Sequence, residues 1–406
     1  MFLLVLCLIG VSNAVDRNIV SVLLEPIKRE FGASDAMMGL LSGLSFAAFY
    51  ATLGVPIARW ADRGDRRQII SLSLAVWSVM TVLCGFCRTF LGLIVARFGV
   101  GAGEAGAVPC AQSLIAEYYP PASRTRALGL FTAAQSIGFA VGLGVGGVVA
   151  QTFGWRAAFI ALGLSGTALV PVTRFVLSEP RRDRSYSRPP KESLSGALRI
   201  LIKKRAYRYI LAAIVVYYFM AYGTLAFIAS LMIRAYGETV GQAGLVFGAV
   251  TTAGATVGAI VGGLAAERLA LGDLRWLARL PGLGLLVALP LYCGALLSRE
   301  LRTMALILLL GTTVLGAVVP VMFSALHVVC GSSRRALSVA SAFFLVNFLG
   351  IGLGPVVSGL LSDSLSRSLG AADGLRYALV VLTTALAPAG YLMLRAVEHL
   401  ESDAEE

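Results

Sequence analysis

The chain is predicted to be an all-α, polytopic membrane protein, with twelve transmembrane helices in two pseudo-symmetric six-helix bundles. Three observations predict this. Its 406 residues are 57% hydrophobic and only 14% charged, and the mean hydropathy is +0.81, outside the composition of soluble domains. Apolar runs long enough to cross about 30 Å of hydrocarbon recur from end to end. The two halves also repeat. Phe31-Gly32, Gly39, Gly43 and Asp62-Arg63 correspond to Tyr236-Gly237, Gly244, Gly248 and Glu267-Arg268 at a constant offset of 205 residues. Parallel repeats of this kind are the plan of transporters that rock two bundles around a central site.

The spans follow in order. The first, 1–24, is apolar except for Asp16-Arg17. Met1 to Ala14 lacks the basic n-region of a signal peptide, and apolar character resumes after Arg17, so the whole run reads as a span. It starts abruptly, leaving room for a cytoplasmic tail ahead of it. The second, 35–59, carries Gly39 and Gly43 and ends in the polar loop ARWADRGDRRQ. The third is 68–87. The fourth, 90–113, contains Arg97 and Glu104. The fifth, 124–150, carries Gly138, Gly142, Gly144, Gly146 and Gly147, small residues that let helices approach closely. The sixth is 156–177. The seventh, 207–233, includes Tyr217 and Tyr218, and the eighth, 240–265, repeats the glycines of the second. The ninth is 277–297. The tenth, 302–328, holds His327; the eleventh, 335–361, holds Asn347 and a Gly354-Pro355 step expected to bend it. The twelfth is 375–397.

Between spans six and seven lies a segment rich in Arg, Pro and Ser, read as a linker with a short amphipathic helix at 194–202 on the membrane surface. The expected organisation is a bundle at 1–178, a cytoplasmic linker at 179–206 and a second bundle at 207–406. Lys and Arg number 23 in the termini and even-numbered loops against 9 in the opposite loops. That bias orients both termini to the cytoplasm, in an inner or plasma membrane. The net charge of +12 is therefore topological, and no nucleic-acid partner is expected. Cys84 and Cys87 form a CxxC, but there is no second pair and the two His are distant. The six cysteines are read as small membrane hydrophobes, and no metal or other cofactor is expected.

Charge inside a span carries the functional signal. Placing one charged side chain mid-membrane costs at least about 2.5–3.5 kcal/mol, so such residues face protein or a wet cavity and are functional candidates by default. At 1.5 Å per residue, Asp16 lies about 22 Å from the cytoplasmic face and Arg97 about 21 Å from it. An Asp16–Arg97 ion pair is feasible at that matched depth. Arg97 and Glu104, seven residues apart, share a helix face about 10 Å apart. Asp16 and Arg17 point about 100° apart, so the two cannot serve one partner directly. The second half is almost uncharged within its spans, with Tyr217, Tyr218, His327 and Asn347 as its polar variety. A charged first half and an apolar second half suit a substrate with a polar head and a hydrocarbon tail.

Asp62-Arg63-Gly64 and Arg66-Arg67, in the loop after span two, resemble the signature G-x-x-x-D-R-x-G-R-R/K of the major facilitator superfamily. The sequence departs from it with Pro56 or Ile57 near the first glycine and Asp65-Arg66 where Gly-Arg is usual. Arg97-Phe-Gly-Val-Gly101-Ala-Gly-Glu104-Ala, Asp16-Arg17 and the segment LLEPIKREFG at 23–32 resemble the Spinster branch over nearly the whole chain, with short loops of bacterial type. The resemblance implies the major facilitator fold, with spans 1, 4, 7 and 10 lining a central cavity. It implies a monomeric transporter of sphingolipid or lysophospholipid type; eukaryotic members export sphingosine-1-phosphate or clear lysophospholipids from lysosomes. It also implies a lock on the outward-facing state through salt bridges of Asp62, Arg63, Arg66 and Arg67, with Glu267 and Arg268 as the degenerate copy.

The expected mechanism makes Asp16 the proton-coupling acid, Arg97 its partner and Glu104 a second carboxylate in the relay or substrate site. Arg17, Glu104, Tyr217, His327 and Asn347 are the substrate-binding candidates. No enzyme is expected: GxxxxGK[ST], HExxH and GxSxG are all absent from the chain. The alternatives are a proton-coupled multidrug or organic-anion exporter of the same fold, a lipid scramblase or a channel.

Overall fold

Each of the twelve apolar runs forms a helix, and several extend well beyond the hydrophobic stretch that marks them. The computed structural model describes residues 1–180 and 194–404. Among these, twelve helices are long and apolar enough to cross a membrane. They are α1 (Phe2–Phe31), α2 (Asp35–Ala61), α3 (Arg66–Phe86), α4 (Phe90–Tyr118), α5 (Pro121–Phe153), α6 (Trp155–Val176), α7 (Arg205–Tyr236), α8 (Val240–Ala270), α9 (Trp276–Leu297), α10 (Leu301–Gly331), α11 (Leu337–Leu369) and α12 (Ala371–Val397). The expected first span ends at 24, yet α1 continues to Phe31. Lys28 and Arg29 in its last turn suit the negative end of the helix dipole. Gly32 then stops it in the left-handed region (φ 59°), its N–H bonded to the Lys28 carbonyl. The starts are fixed by caps. Ser34, Asp65 and Thr89 accept from the N–H groups of Met37, Gln68 and Gly92 at 3.2, 3.2 and 3.1 Å.

Local irregularities sit inside the spans. The stretch Leu40–Leu44 in α2 and the stretch Val346–Leu353 in α11 are π-helical, a feature common at functional sites. Gly354-Pro355, where a bend is expected, stands at the end of the second of these: Gly354 keeps right-handed helical φ/ψ (−50°, −58°) and Pro355 enters the first turn of the next α-helical piece. Between Glu104 and Ala107 the α4 helix is interrupted.

Contacts divide the chain into two units, Met1–Ser187 with Ala226–Gly248, and Arg188–Leu225 with Ala249–Glu406. This differs from the covalent split into 1–178 and 207–406, because the end of α7 and the start of α8 pack with the first six helices. Arg234 bonds Glu25 and Asp35 there, and Gly241 N–H donates to Gln151 at 3.0 Å.

Within the first unit α1 packs along α5, α3 along α6, and α4 against α2 and α3. Glycines set those distances. A Cβ on Gly103 of α4 would meet the Trp77 backbone N of α3 at 2.6 Å, and one on Gly138 of α5 would meet the Val11 carbonyl of α1 at 2.5 Å. Within the second unit α9 packs on α10 and α12, and α11 on α12. The linker helix expected at 194–202 is present as Leu194–Lys203, with Leu201 buried and Ile202 exposed. Residues 181–193 of the linker lie outside the described residues. Asp403, near the C-terminal end, accepts from Ala206 N–H at 2.8 Å through its side chain and from Lys204 Nζ at 2.9 Å through its carbonyl.

Candidate functional site

Helices α1 and α4 bring four charges together in the first unit, and α3 adds a hydroxyl. Asp16 and Arg97 are each 1% exposed and Glu104 is 0% exposed. Arg97 Nη1 donates to Asp16 Oδ1 at 3.2 Å. The other carboxylate oxygen, Oδ2, accepts from the Thr81 hydroxyl of α3. Arg17, one residue on and turned away, donates through Nη2 to Glu104 Oε2 at 3.3 Å. The two acids and two arginines thus form crossed pairs between α1 and α4, and the cluster is neutral overall. Such pairing is what makes three buried charges and the half-buried Arg17 tolerable together, since an isolated buried charge carries a desolvation penalty of several kcal/mol.

An aromatic pair from α2 completes the cluster. Phe46 and Tyr50 stack at 5.3 Å. The Arg17 guanidinium lies over both rings, 4.8 Å from Phe46 and 4.6 Å from Tyr50, in cation–π geometry. Arg97 stands 5.7 Å from the same Phe46 ring, so Phe46 touches both ion pairs. The close seat of α4 on α2 at Gly101, whose Cβ position falls against the Phe46 backbone, allows this contact. Sequence reasoning missed Thr81, Phe46 and Tyr50. The i, i+4 spacing of Phe46 and Tyr50 was a visible but common signal, and nothing distinguishes Thr81 from the chain's other threonines.

The remaining candidates lie elsewhere. Tyr217 is buried, with its ring edge-on to Tyr218 at 4.9 Å, and Tyr218 stacks on Tyr222 at 5.7 Å. His327 is half-buried in α10, and its carbonyl lies 3.4 Å from Cys330 Sγ. Asn347 donates through Nδ2 to the Phe343 carbonyl of its own helix at 2.6 Å, which takes up part of its donor capacity. These three belong to the second unit.

In the loop after α2, the side chains of Asp62 and Arg63 lie outside the described residues. Arg66 is buried (1% exposed) and held by Glu117 and Glu179, each 2.5 Å from Nη2. Ser113 accepts from its Nη1 at 2.9 Å. All of these partners lie in the first unit, at the ends of α4 and α6. Arg67 pairs with Asp65 at 3.2 Å, within its own loop. Glu267 and Arg268 are exposed near the end of α8. A further cluster escaped the sequence reading. Arg234 of α7 binds Glu25 Oε1 at 2.5 Å and Asp35 Oδ1 at 2.6 Å, and Lys28 binds Asp35 at 2.6 Å.

Twelve spans and a neutral cluster of buried charges describe a multi-pass membrane transport protein. The chain belongs to the Major Facilitator Superfamily, whose sequence model matches residues 6–355, and within it the chain is Spinster-like. A bacterial homologue of the human lysosomal transporter Spinster, solved in an inward-facing and occupied conformation, superposes with a TM-score of 0.88. It is 30% identical and the match covers 100% of this chain and 98% of that one. An MFS-type efflux pump of Mycolicibacterium smegmatis is 32% identical over 383 residues, 94% of this chain and 88% of the pump. Protein spinster homolog 3 of Danio rerio is 26% identical over 390 residues, 89% of this chain and 76% of that protein.

Proposed function

We propose that this protein is a proton-coupled secondary transporter that moves an amphipathic, lipid-like substrate, a lysophospholipid or sphingoid phosphate, by rocker-switch alternating access. The observation that carries this reading is the crossed pairing of Asp16 with Arg97 and Arg17 with Glu104 inside the membrane. Protonating Asp16 removes one charge of a buried pair. Arg97 is then an uncompensated buried cation, a state costing about 3–5 kcal/mol. A bias of about 5.5 kcal/mol takes a two-state equilibrium from 1:99 to 99:1, so one proton supplies much of a conformational switch.

In this reading Arg97 and Glu104 complete the coupling site. An anionic head group competes with Glu104 for the Arg17 guanidinium, whose planar fork suits phosphate. Tyr217, His327 and Asn347 are the substrate-binding candidates of the second bundle. Asp62, Arg63, Arg66, Arg67, Glu267 and Arg268 form the conformational lock. The protein acts as a monomer in the inner or plasma membrane, with both termini in the cytoplasm and no cofactor, and it is not an enzyme.

The full-length likeness to an efflux pump favours one second reading, a proton-coupled multidrug or organic-anion exporter using the same coupling residues. Uptake into proteoliposomes under an imposed pH gradient separates the two. Labelled lysophospholipid or sphingosine-1-phosphate accumulating, with cationic dyes neither carried nor competing, supports the lipid reading. Dye transport without lipid flux supports the exporter. Lipid flux that needs no gradient and survives Asp16→Asn would instead indicate a scramblase.

A further inference from the structure

Threonines buried in these helices commonly turn their hydroxyl back to a carbonyl of their own helix. Thr173 donates to Leu169 at 2.8 Å, Thr224 to Met220 at 2.9 Å and Thr383 to Leu379 at 2.8 Å. Thr81 is as buried, at 0% exposure, but donates across to Asp16 Oδ2. We infer that Thr81 is the positioning residue for the proton step at Asp16: it orients the carboxylate and sets the pH at which that carboxylate takes up its proton. This rests on the reading of Asp16 as the coupling acid.

The chemistry follows from the two oxygens. Oδ1 is occupied by Arg97 Nη1, so Oδ2 is the oxygen open to a proton. While Asp16 is ionised, Thr81 donates to Oδ2. When a proton from solvent binds there, an Oδ2–H bond forms and the Thr81 oxygen becomes the acceptor. The threonine's own proton then needs another acceptor. The Trp77 carbonyl, four residues earlier in α3, is within the ordinary reach of a helical threonine. Ser78, one turn away on the same face of α3, has a buried hydroxyl with no hydrogen-bond partner among the described residues. No atom is gained or lost beyond the single proton, and a hydroxyl is the side-chain group that both donates and accepts in this way.

The other charged and titratable groups around Asp16 are fixed in number. Arg17 comes from α1, Arg97 and Glu104 from α4, Cys84 from α3 and Tyr50 from α2. From 127 to 153 and from 157 to 173, α5 and α6 carry no titratable side chain. Thr81 is therefore the neutral contact whose removal changes the stability of the carboxylate without changing the charge count. A donor to a carboxylate favours its ionised form, so losing it moves protonation to higher pH.

The test needs no substrate. Infrared spectra of the full-length protein in lipid vesicles are titrated with pH, and the protonated-carboxyl band of Asp16 is assigned by difference from Asp16→Asn. In Thr81→Val the midpoint is expected to rise by about one to two pH units, the size of one hydrogen bond to a charged group. Thr81→Ser is expected to restore it. Thr81→Cys, whose thiol is a weak donor, should fall between and serves if the valine variant does not fold. An unmoved midpoint in Thr81→Val or Thr81→Cys, with the Asp16 band still present, overturns this inference alone. No Asp16 band titrating at any pH the protein withstands overturns the coupling reading and this inference together.

Discussion

Asp16 accepts one bond on each carboxylate oxygen, from Thr81 and from Arg97, and all three side chains are buried. Removing a single partner from such a pair is far more damaging than removing both. Arg97→Gln is expected to destabilise the protein by about 3–5 kcal/mol, while Asp16→Asn with Arg97→Gln recovers a large part of that loss. Denaturant or thermal melts of the four proteins in one detergent give the coupling energy; additive effects would mean that the pair is electrostatically idle. At this scale the sequence is informative where a residue is out of place. Charge in an apolar run exposed Asp16, Arg17, Arg97 and Glu104, and matched depth along two antiparallel spans suggested the Asp16–Arg97 pair. Thr81, Phe46 and Tyr50 are ordinary residues for a membrane helix, and only the crossing of α1, α2, α3 and α4 gives them their neighbours. Glu117 and Glu179 were hidden for the same reason: each stands at a helix end, where an acid in sequence is usually a solvated one.

The helices are located by hydropathy, but their ends are decided by other chemistry. Hydropathy reports what lipid tolerates, whereas α1 runs past it because Glu25 and Lys28 are neutralised by Arg234 and Asp35. Gly32, Gly154, Gly237 and Gly370 end or begin helices with positive φ, so glycine position marks the boundaries better than the apolar run does. Interhelix spacing is likewise a glycine property. Gly103 holds α4 against the Trp77 backbone of α3, at the level that presents Arg97 and Glu104 to α1. Gly103→Ala is expected to cost about 1–3 kcal/mol by overpacking and to weaken the Asp16–Arg97 pair with it. A lowered melting temperature would check the first effect and an altered Asp16 titration the second. A variant with wild-type melting would mean that α3 and α4 can move apart freely.

Over the whole chain, the sequence repeat suggested two covalent halves, while contacts gather the end of α7 and the start of α8 with the first six helices. The difference was not legible, because it rests on contacts between residues far apart in the chain, among them Arg234 with two acids about 200 residues away and Gly241 with Gln151. Arg234→Met withdraws one guanidinium from both Glu25 and Asp35, which are buried. It is expected to lower stability by about 3–5 kcal/mol, measured by melting in detergent. Glu25→Gln with Asp35→Asn should offset much of that loss, and a neutral Arg234→Met would show the cluster to be dispensable. The central claim concerns proton movement through Asp16, and it is tested most directly by a pH-sensitive dye sealed inside proteoliposomes. Adding lysophospholipid, sphingosine-1-phosphate or a cationic dye outside should move protons across the membrane with wild-type protein for the carried compound. No such movement is expected with Asp16→Asn. Proton movement of equal size in the variant would contradict the assignment of Asp16 as the coupling acid.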